Sequence, residues 1–350
     1  MKLSLCIATY NEEANIHYPL DSCYDFVDEV IIVDGGSADK TVEKAKSYGK
    51  KVKVFIEPNP PMFHLNKQKA IERAKGEWIL QLDADEEIAD ELKLEIKEII
   101  HRNFQFPISP STSSGSRAKS RDNFQSNTKF QNSNVSSRQA RTIKNYSSSE
   151  RNESRSYVAY YLPRKNFFLT RFLLKGGQYP DYTIRLYRNG AVRFPLKSVH
   201  ENVVINPEFK IQNSELIGNW ELEIGYLSSP ILHYADPDFS RYLKRWDRYT
   251  TLDAGMLAKE IKYQISNIKY LLMFLDYFML KPTATFFSMY FRHLGFMDGF
   301  PGFVFALFSS IRFWVIYIKL PTLSKSSRFL TKLYQTMSLR GGGTTTKQSY

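Results

Sequence analysis

The chain has 350 residues, 43% hydrophobic and 15% aromatic, which is enough for a sizeable core and excludes a wholly disordered protein. Its net charge of +12 would suit nucleic acid, but residues 103–156 carry nine basic and three acidic residues, and residues 321–350 carry five basic and none acidic. The remainder is close to neutral, so the charge does not indicate a nucleic-acid-binding face. The two cysteines are too few for a zinc cluster or disulfide scaffold. We expect both to stay reduced in the cytoplasm, because the short apolar start does not predict a secretory signal.

Before residue 103, short apolar runs alternate with helix-like segments. The predicted strands are Leu3–Ala8, Glu29–Val33, Val52–Ile56 and Trp78–Leu82, and the predicted helices are Glu13–Phe26, Asp39–Tyr48, His64–Lys75 and Ile88–Ile100. Strands that alternate with helices in this way predict an α/β fold with a parallel sheet. Ligands of such sheets bind at the carboxyl ends of the strands.

Residues 103–156 interrupt this pattern. Fifteen of these 54 residues are serine and few are apolar, so we predict a disordered insertion. Beyond it, further strands are predicted at Tyr157–Leu162, Tyr182–Tyr187, Ala191–Phe194 and Val199–Ile205, and Asp236-Pro237 predicts the start of a helix. One face of that helix carries Arg241, Lys244, Arg245 and Arg248, and the other carries Phe239, Tyr242, Leu243, Trp246 and Tyr249.

Polar residues follow the first two predicted strands. The turn Thr9-Tyr10-Asn11-Glu12 lacks the glycine pattern of dinucleotide-binding folds, and it suits either the polar edge of a nucleoside or an ordinary capped turn. Asp34 precedes two glycines, so its carboxylate could accept hydrogen bonds from ribose hydroxyls or simply cap the turn.

Two acidic residues, Asp83 and Asp85, follow the fourth predicted strand. At i and i+2 of an extended segment they point to one side and could share Mg²⁺ or Mn²⁺. Such a cation would neutralise a leaving diphosphate. The alternative is that Asp85 caps the helix that follows.

These turns would meet at one edge of a parallel sheet, and together their sequences resemble the motifs of a known family. The segments 9–13, 33–39 and 82–86 resemble the fingerprints of family 2 glycosyltransferases with the GT-A fold, a Rossmann-like mixed sheet flanked by helices. The segments Pro180–Tyr187, Val199–Glu201 and Asp298–Gly302 are similar to the lipopolysaccharide core β-glucosyltransferase branch of that family. The resemblance covers roughly 1–100 and 157–320, and the insertion departs from it.

The resemblance implies roles for individual residues. Asp34 would contact the nucleoside, Thr9, Tyr10 and Glu12 would border it, and Lys67 would approach the donor. Asp83 and Asp85 would form the metal and diphosphate site, with Asp85 favoured as the direct ligand.

The second half of the chain supplies candidates for the remaining roles. An acceptor hydroxyl needs a general base, for which Glu201 is the first candidate and Asp181 the second. His200 or His233 could complete the metal sphere, and Arg185 could pair with a phosphate or with a structural carboxylate.

The C-terminal part is apolar and aromatic, which favours peripheral membrane contact over a core helix pair or a dimer interface. We predict a nucleotide-sugar-binding half at 1–102, an acceptor-binding half at 157–235, a helical extension at 236–323 and a disordered basic tail at 324–350. We expect the protein in the cytoplasm, at the inner face of the plasma membrane.

These features predict an inverting, metal-dependent enzyme that moves a hexose from a nucleotide sugar, expected to be UDP-linked, to a hydroxyl of an envelope glycan or glycolipid such as lipopolysaccharide core. One alternative acceptor is a polyprenyl phosphate, whose ionised oxygen needs no base. A second alternative is a non-catalytic protein whose basic segments bind nucleic acid; in the favoured interpretation nucleic acid is not a partner.

Overall fold

The computed structural model describes residues 2–60, 64–105, 157–195, 203–206, 208–209, 223–260 and 272–340. Of residues 102–105, 223, 260 and 321–340 the backbone alone is described. The predicted insertion, from residue 106 onward, and the last ten residues of the predicted tail lie outside these ranges.

Twelve strands and seven α-helices have their bounds within these ranges. The strands are β1 Leu3–Thr9, β2 Glu29–Asp34, β3 Val52–Ile56, β4 Trp78–Asp83, β5 Glu86–Ile88, β6 Tyr157–Phe168, β7 Arg171–Leu173, β8 Asp181–Arg188, β9 Val192–Arg193, β10 Val204–Ile205, β11 Glu223–Tyr226 and β12 Ile231–Asp236. The helices are α1 His17–Cys23, α2 Thr41–Ser47, α3 His64–Arg73, α4 Asp90–Gln105, α5 Phe239–Glu260, α6 Lys281–Phe287 and α7 Gly299–Arg340. Single π-turns, Asp276–Leu280 and Ser288–Arg292, flank α6, and a 3₁₀ turn at Gly295–Asp298 precedes α7.

One large mixed sheet organises the fold. Its strand order is β3-β2-β1-β4-β8-β6-β12-β5, and β7 and β11 also pair with β6. The first four strands are parallel, as predicted, whereas β8 runs antiparallel to β4. The predicted α/β class, a mixed sheet flanked by helices with a helical C-terminal extension, is therefore confirmed.

The parallel half is buried on both faces because helices cover each side. Leu5 and Ile7 of β1 face α1 and α4, while Cys6 between them faces α3. This alternation follows from the two-residue period of a strand. Cys6 and Cys23 are both buried and free.

Strand β5 corrects one predicted boundary. Ile88, predicted to begin a helix, instead pairs with Ile231 of β12, and α4 starts at Asp90. The reason is long-range: Ile88 is 2% exposed in the core, and its partner strand comes much later in the chain. Together with the pairing of β4 and β8, this pairing joins the two predicted halves in one sheet.

The C-terminal helices form an antiparallel hairpin, residues 272–320, whose turn docks on the sheet domain. The buried Asp298 carboxylate accepts hydrogen bonds from the backbone N–H groups of Leu174 (3.1 Å) and Lys175 (2.8 Å). Helix α7 continues to Arg340, past residue 324 where the disordered tail was predicted to start. Leucine, lysine and arginine in this segment favour a helix.

Candidate active site

A cavity of about 1150 Å³ opens where β1 and β4 end. Its lining includes Thr9, Tyr10, Glu12, Lys67, Asp83, Asp85, Arg185 and His233. The structure thus brings together most of the donor and metal residues predicted from sequence, because parallel strands end at the same edge.

Asp83 lies in a dense network of charges. Its carboxylate contacts Lys67 Nζ, and Arg185 Nη2 lies 2.8 Å from Oδ2. Burial opposes its ionisation, but Arg185 and then Lys67 outweigh burial and hold the pKa of Asp83 well below its usual value. Asp83 is therefore an ionised carboxylate already engaged by two cations.

Glu86 completes this network, and sequence analysis assigned it no role. It is fully buried, and its Oε1 accepts hydrogen bonds from Arg185 (2.8 Å) and Arg164 (3.2 Å). Its other oxygen accepts from the Asp83 backbone N–H at 2.9 Å. Glu86 stands inside the quoted motif, but its partners on β6 and β8 come after the insertion, so no local pattern indicated them.

Asp85 faces a different set of groups. Arg241 donates to its Oδ2 at 2.8 Å, and His233 Nε2 lies 3.5 Å from its Oδ1. Burial raises the pKa of Asp85, but the neighbouring His233 and Arg241 outweigh burial and lower it. The other ring nitrogen of His233, Nδ1, lies 2.7 Å from Asn166 Oδ1. With a cation bound between His233 and Asp85, Nδ1 would carry the proton and donate it to that amide oxygen, and the lone pair of Nε2 would face the cation.

Asp34 and Thr9 are joined to each other. The Asp34 carboxylate accepts hydrogen bonds from the Thr9 hydroxyl (2.8 Å), from the Gly36 N–H (3.0 Å) and from Ser37 (2.7 Å from N–H, 2.6 Å from the hydroxyl). Asp34 is 0% exposed and does not line the cavity. A nucleoside contact through Asp34 stays a prediction, and in this structure its carboxylate organises the turn after β2.

The remaining donor candidates border the opening. Tyr10 is 48% exposed, and Glu12 accepts a hydrogen bond from the Asn15 side chain at 2.6 Å. Burial raises the pKa of Glu12. Both side chains line the cavity beside Thr9, where the sequence predicted the nucleoside to bind.

Of the two base candidates, Asp181 is described. Arg164 donates to its Oδ2 from Nε (3.0 Å) and Nη2 (2.7 Å), and Asn166 adds a third hydrogen bond at 3.2 Å. Burial opposes ionisation, but Arg164 outweighs it and lowers the pKa of Asp181, which weakens it as a base. Glu201 and His200 lie outside the described residues.

The side chains at Asp85 could supply part of the ligands of a divalent cation. Among the described residues there is no cluster of three or more metal-ligating side chains. Asp85 and His233 nevertheless present a carboxylate oxygen and an imidazole nitrogen 3.5 Å apart, close to the separation of about 3 Å for neighbouring ligands of one ion. Two protein ligands leave the positions that substrate phosphates occupy on Mg²⁺.

The fold and the site define a class, an α/β protein with a cavity, lined by both acidic and basic side chains, at the carboxyl ends of its parallel strands. Residues 4–192 match the family described as Glycosyl transferase family 2. Because this match covers more than half of the chain, the protein belongs to that family.

Individual relatives match shorter parts. An uncharacterized glycosyltransferase of Rickettsia bellii is 42% identical over 99 residues, which are 28% of this chain and 32% of the relative. The match therefore spans about a third of that relative's length.

Solved structures are also similar. Glucosyl-3-phosphoglycerate synthase of Mycobacterium tuberculosis, in complex with Mn²⁺ and UDP-glucose, is 26% identical over 25% of this chain and 34% of its own, with a TM-score of 0.22. S. aureus TarS 1–349, in complex with UDP-GlcNAc, is 15% identical over 94% of this chain and 92% of its own, with a TM-score of 0.40.

Proposed function

We propose that this glycosyltransferase moves a hexose from a UDP-linked sugar to a hydroxyl of an envelope glycan such as lipopolysaccharide core, with inversion and with a divalent cation. The observation that carries the proposal is the juxtaposition of Asp85, His233 and Lys67 in one cavity with the nucleoside-side residues Thr9 and Glu12. A solved structure in which a similar chain holds Mn²⁺ and UDP-glucose supports the choice of metal and nucleotide.

In this proposal Asp85 and His233 hold the cation, which when bound neutralises charge on the departing diphosphate. Lys67, 9% exposed, adds a fixed positive charge on the same side of the cavity. Arg185 acts through Asp83 and Glu86, because its guanidinium holds both carboxylates in place. Arg185 is thus proposed as a positioning residue and not as a direct phosphate ligand.

Glu201 is the proposed general base. Asp181 is engaged by Arg164 and has a lowered pKa, so it suits a supporting role that holds Arg164 against Glu86. If the acceptor is instead a polyprenyl phosphate, no base is needed and Glu201 has no proton to remove. Nucleic acid is not the proposed partner, because residues 4–192 match a glycosyltransferase family and the cavity is mixed in charge.

A panel of nucleotide sugars tests the donor and metal together by thermal unfolding. We expect UDP-glucose or a related UDP-sugar with Mn²⁺, at about 100 times its Kd, to stabilise the protein by about 2.7 kcal/mol. For a chain of this size that corresponds to a rise in Tm of roughly 4 °C. EDTA should remove most of the rise, and GDP- and ADP-sugars are the controls. If a UDP-sugar stabilises the protein equally in the presence of EDTA, the proposed dependence on a metal is wrong. If no nucleotide sugar stabilises the protein, the proposed function is wrong.

We further propose that the hairpin of residues 272–320 rests on a lipid bilayer, which places the enzyme at the cytoplasmic face of the plasma membrane. Fourteen of the 25 exposed large hydrophobic side chains among the described residues belong to this hairpin. Gly295–Leu320 is long and apolar enough to cross a membrane by length and composition: its most apolar 18 residues have a mean hydropathy of 1.7, and 22% of those residues are buried. Monomeric soluble proteins rarely expose so much apolar surface, and five basic residues with no acidic ones follow at 321–350.

Charged substitutions on the hairpin test this contact. In Leu280→Asp combined with Phe300→Asp, at positions 66% and 72% exposed, we expect vesicle binding to weaken at least about tenfold, because two charges would enter the interface. The control is Leu94→Asp on α4, 63% exposed and outside the hairpin, which should bind like the unsubstituted protein. Flotation with vesicles of phosphatidylcholine and phosphatidylglycerol measures both. Equal binding by the double variant would contradict membrane contact through the hairpin.

A further inference from the structure

Helix α5 carries Arg241, Arg245 and Arg248 on one face, a set we call the arginine row. The spacings of four and three residues place them on consecutive turns, and the row extends about 10 Å along the helix axis. Arg241 reaches Asp85 at the proposed metal site, and Arg245 contacts Asp236 at the end of β12. The row therefore leads away from the donor site along the cavity wall.

Arg248 differs from the other arginines that line the cavity. Arg164, Arg185, Arg245 and Arg312 each pair with a carboxylate: Asp181, Asp83, Asp236 and Asp253 respectively. Among the described residues, Arg248 has no acidic group within ion-pair distance, although it lines the same cavity and is exposed. At this end of the cavity it supplies a positive charge that no carboxylate in the described part of the chain neutralises.

The cavity that Arg248 lines has features that suit a sugar. Trp246 and Tyr249 present aromatic surface to it, and Ser309 of α7 adds a hydroxyl. Asp236 is 2% exposed and lines the cavity, and its buried Oδ1 has no hydrogen-bond partner in the described structure. Aromatic faces and a buried polar acceptor are what a hydroxyl-rich ring requires, since buried polar atoms need hydrogen-bond partners.

We infer that Arg248 binds an anionic group, a phosphate or carboxylate, carried by the acceptor next to the sugar that receives the hexose. The inference rests on the proposed function and names a property of its acceptor. A guanidinium fork matches either anion bidentately, and an unpaired arginine in a cavity makes that interaction without first breaking an ion pair. The distance along α5 leaves room for a sugar ring between Arg248 and the metal site.

The experiment uses the full chain saturated with UDP and Mg²⁺, so that the donor site is filled. Inorganic phosphate is titrated at constant ionic strength, and Tm is followed in the unsubstituted protein, in Arg248→Gln and in Lys244→Gln. Lys244 is the matched control because it is an exposed cation on the same helix outside the cavity lining. A second arm compares binding to phosphatidylcholine vesicles with and without phosphatidylglycerol.

We expect Arg248→Gln to need at least about tenfold more phosphate for the same rise in Tm, the size of one lost charge-assisted hydrogen bond, and Lys244→Gln to be unchanged. If phosphate has no effect but Arg248→Gln alone loses the preference for phosphatidylglycerol, the anion belongs to a membrane lipid and not to the acceptor, which would overturn the inference. Identical behaviour of Arg248→Gln and the unsubstituted protein in both arms would overturn the inference, as would an equal loss in Lys244→Gln. Failure of UDP to stabilise any of the three proteins would instead contradict the proposed function.

Discussion

Asp85→Asn should lower the rate of sugar transfer by at least about 100-fold, because it removes the carboxylate charge that is proposed to hold the cation. The substitution nearly preserves shape, so Arg241 and His233 can stay in place around it. The loss should appear in kcat and in the Mn²⁺ dependence of UDP binding. Added Mn²⁺ should recover only part of the activity.

Asp90→Asn is the matched control for this variant. Asp90 lies five residues further along, its side chain is 90% exposed, and it pairs with Lys93 on α4. We expect its transfer rate to stay within about twofold of the unsubstituted enzyme, since exposed ion pairs contribute little. Circular dichroism should show both variants folded. Retention of full activity by Asp85→Asn would remove Asp85 from the metal site.

Arg185→Met should lower the free energy of unfolding by about 3–5 kcal/mol, because removing one partner from a buried ion pair leaves uncompensated charge behind. Arg185 is 7% exposed and lies between Asp83 and the fully buried Glu86. In the variant Glu86 keeps Arg164, and Asp83 keeps Lys67, but each loses its closest guanidinium contact. The midpoint of urea denaturation measures the change.

The control for this stability measurement is Lys44→Met. Lys44 pairs with Glu13 at 3.3 Å, and the two side chains are 49% and 36% exposed. Its removal should change the free energy of unfolding by less than about 1 kcal/mol. If Arg185→Met lowers the free energy of unfolding no more than Lys44→Met does, the network around Asp83 does not stabilise the fold.

Asp85→Asn and Arg185→Met test the chemistry and the stability of the same site separately. Asp85 contacts the cavity, and its substitution should affect transfer with little loss of stability. Arg185 acts through Asp83 and Glu86, so its substitution should affect stability first and transfer through the displaced carboxylates. Reversal of this pattern would contradict the assignment of roles in the site.

The parallel half of the sheet, and the polar residues at its edge, could be predicted from the sequence alone. Strands β1–β4 could be predicted because each is a short apolar run, and the two-residue period fixes which side chains face each helix layer. The positions of Asp83 and Asp85 followed from the same pattern, since a residue at the end of a buried parallel strand reaches the ligand edge. Membership of family 2 was indicated by motifs within the first hundred residues.

Which basic side chains contact each of those acidic residues depends on the tertiary structure. Asp83 and Glu86 are held by Arg185, and Asp85 faces His233 and Arg241, all from elements that follow the 103–156 segment. Ion pairs between residues this far apart in the chain produce no periodic pattern in the sequence. The attraction between charges depends on their distance in space and not on their spacing along the chain. For the same reason, the sequence does not indicate that Arg248 lacks an acidic partner among the described residues, or that it lines the cavity.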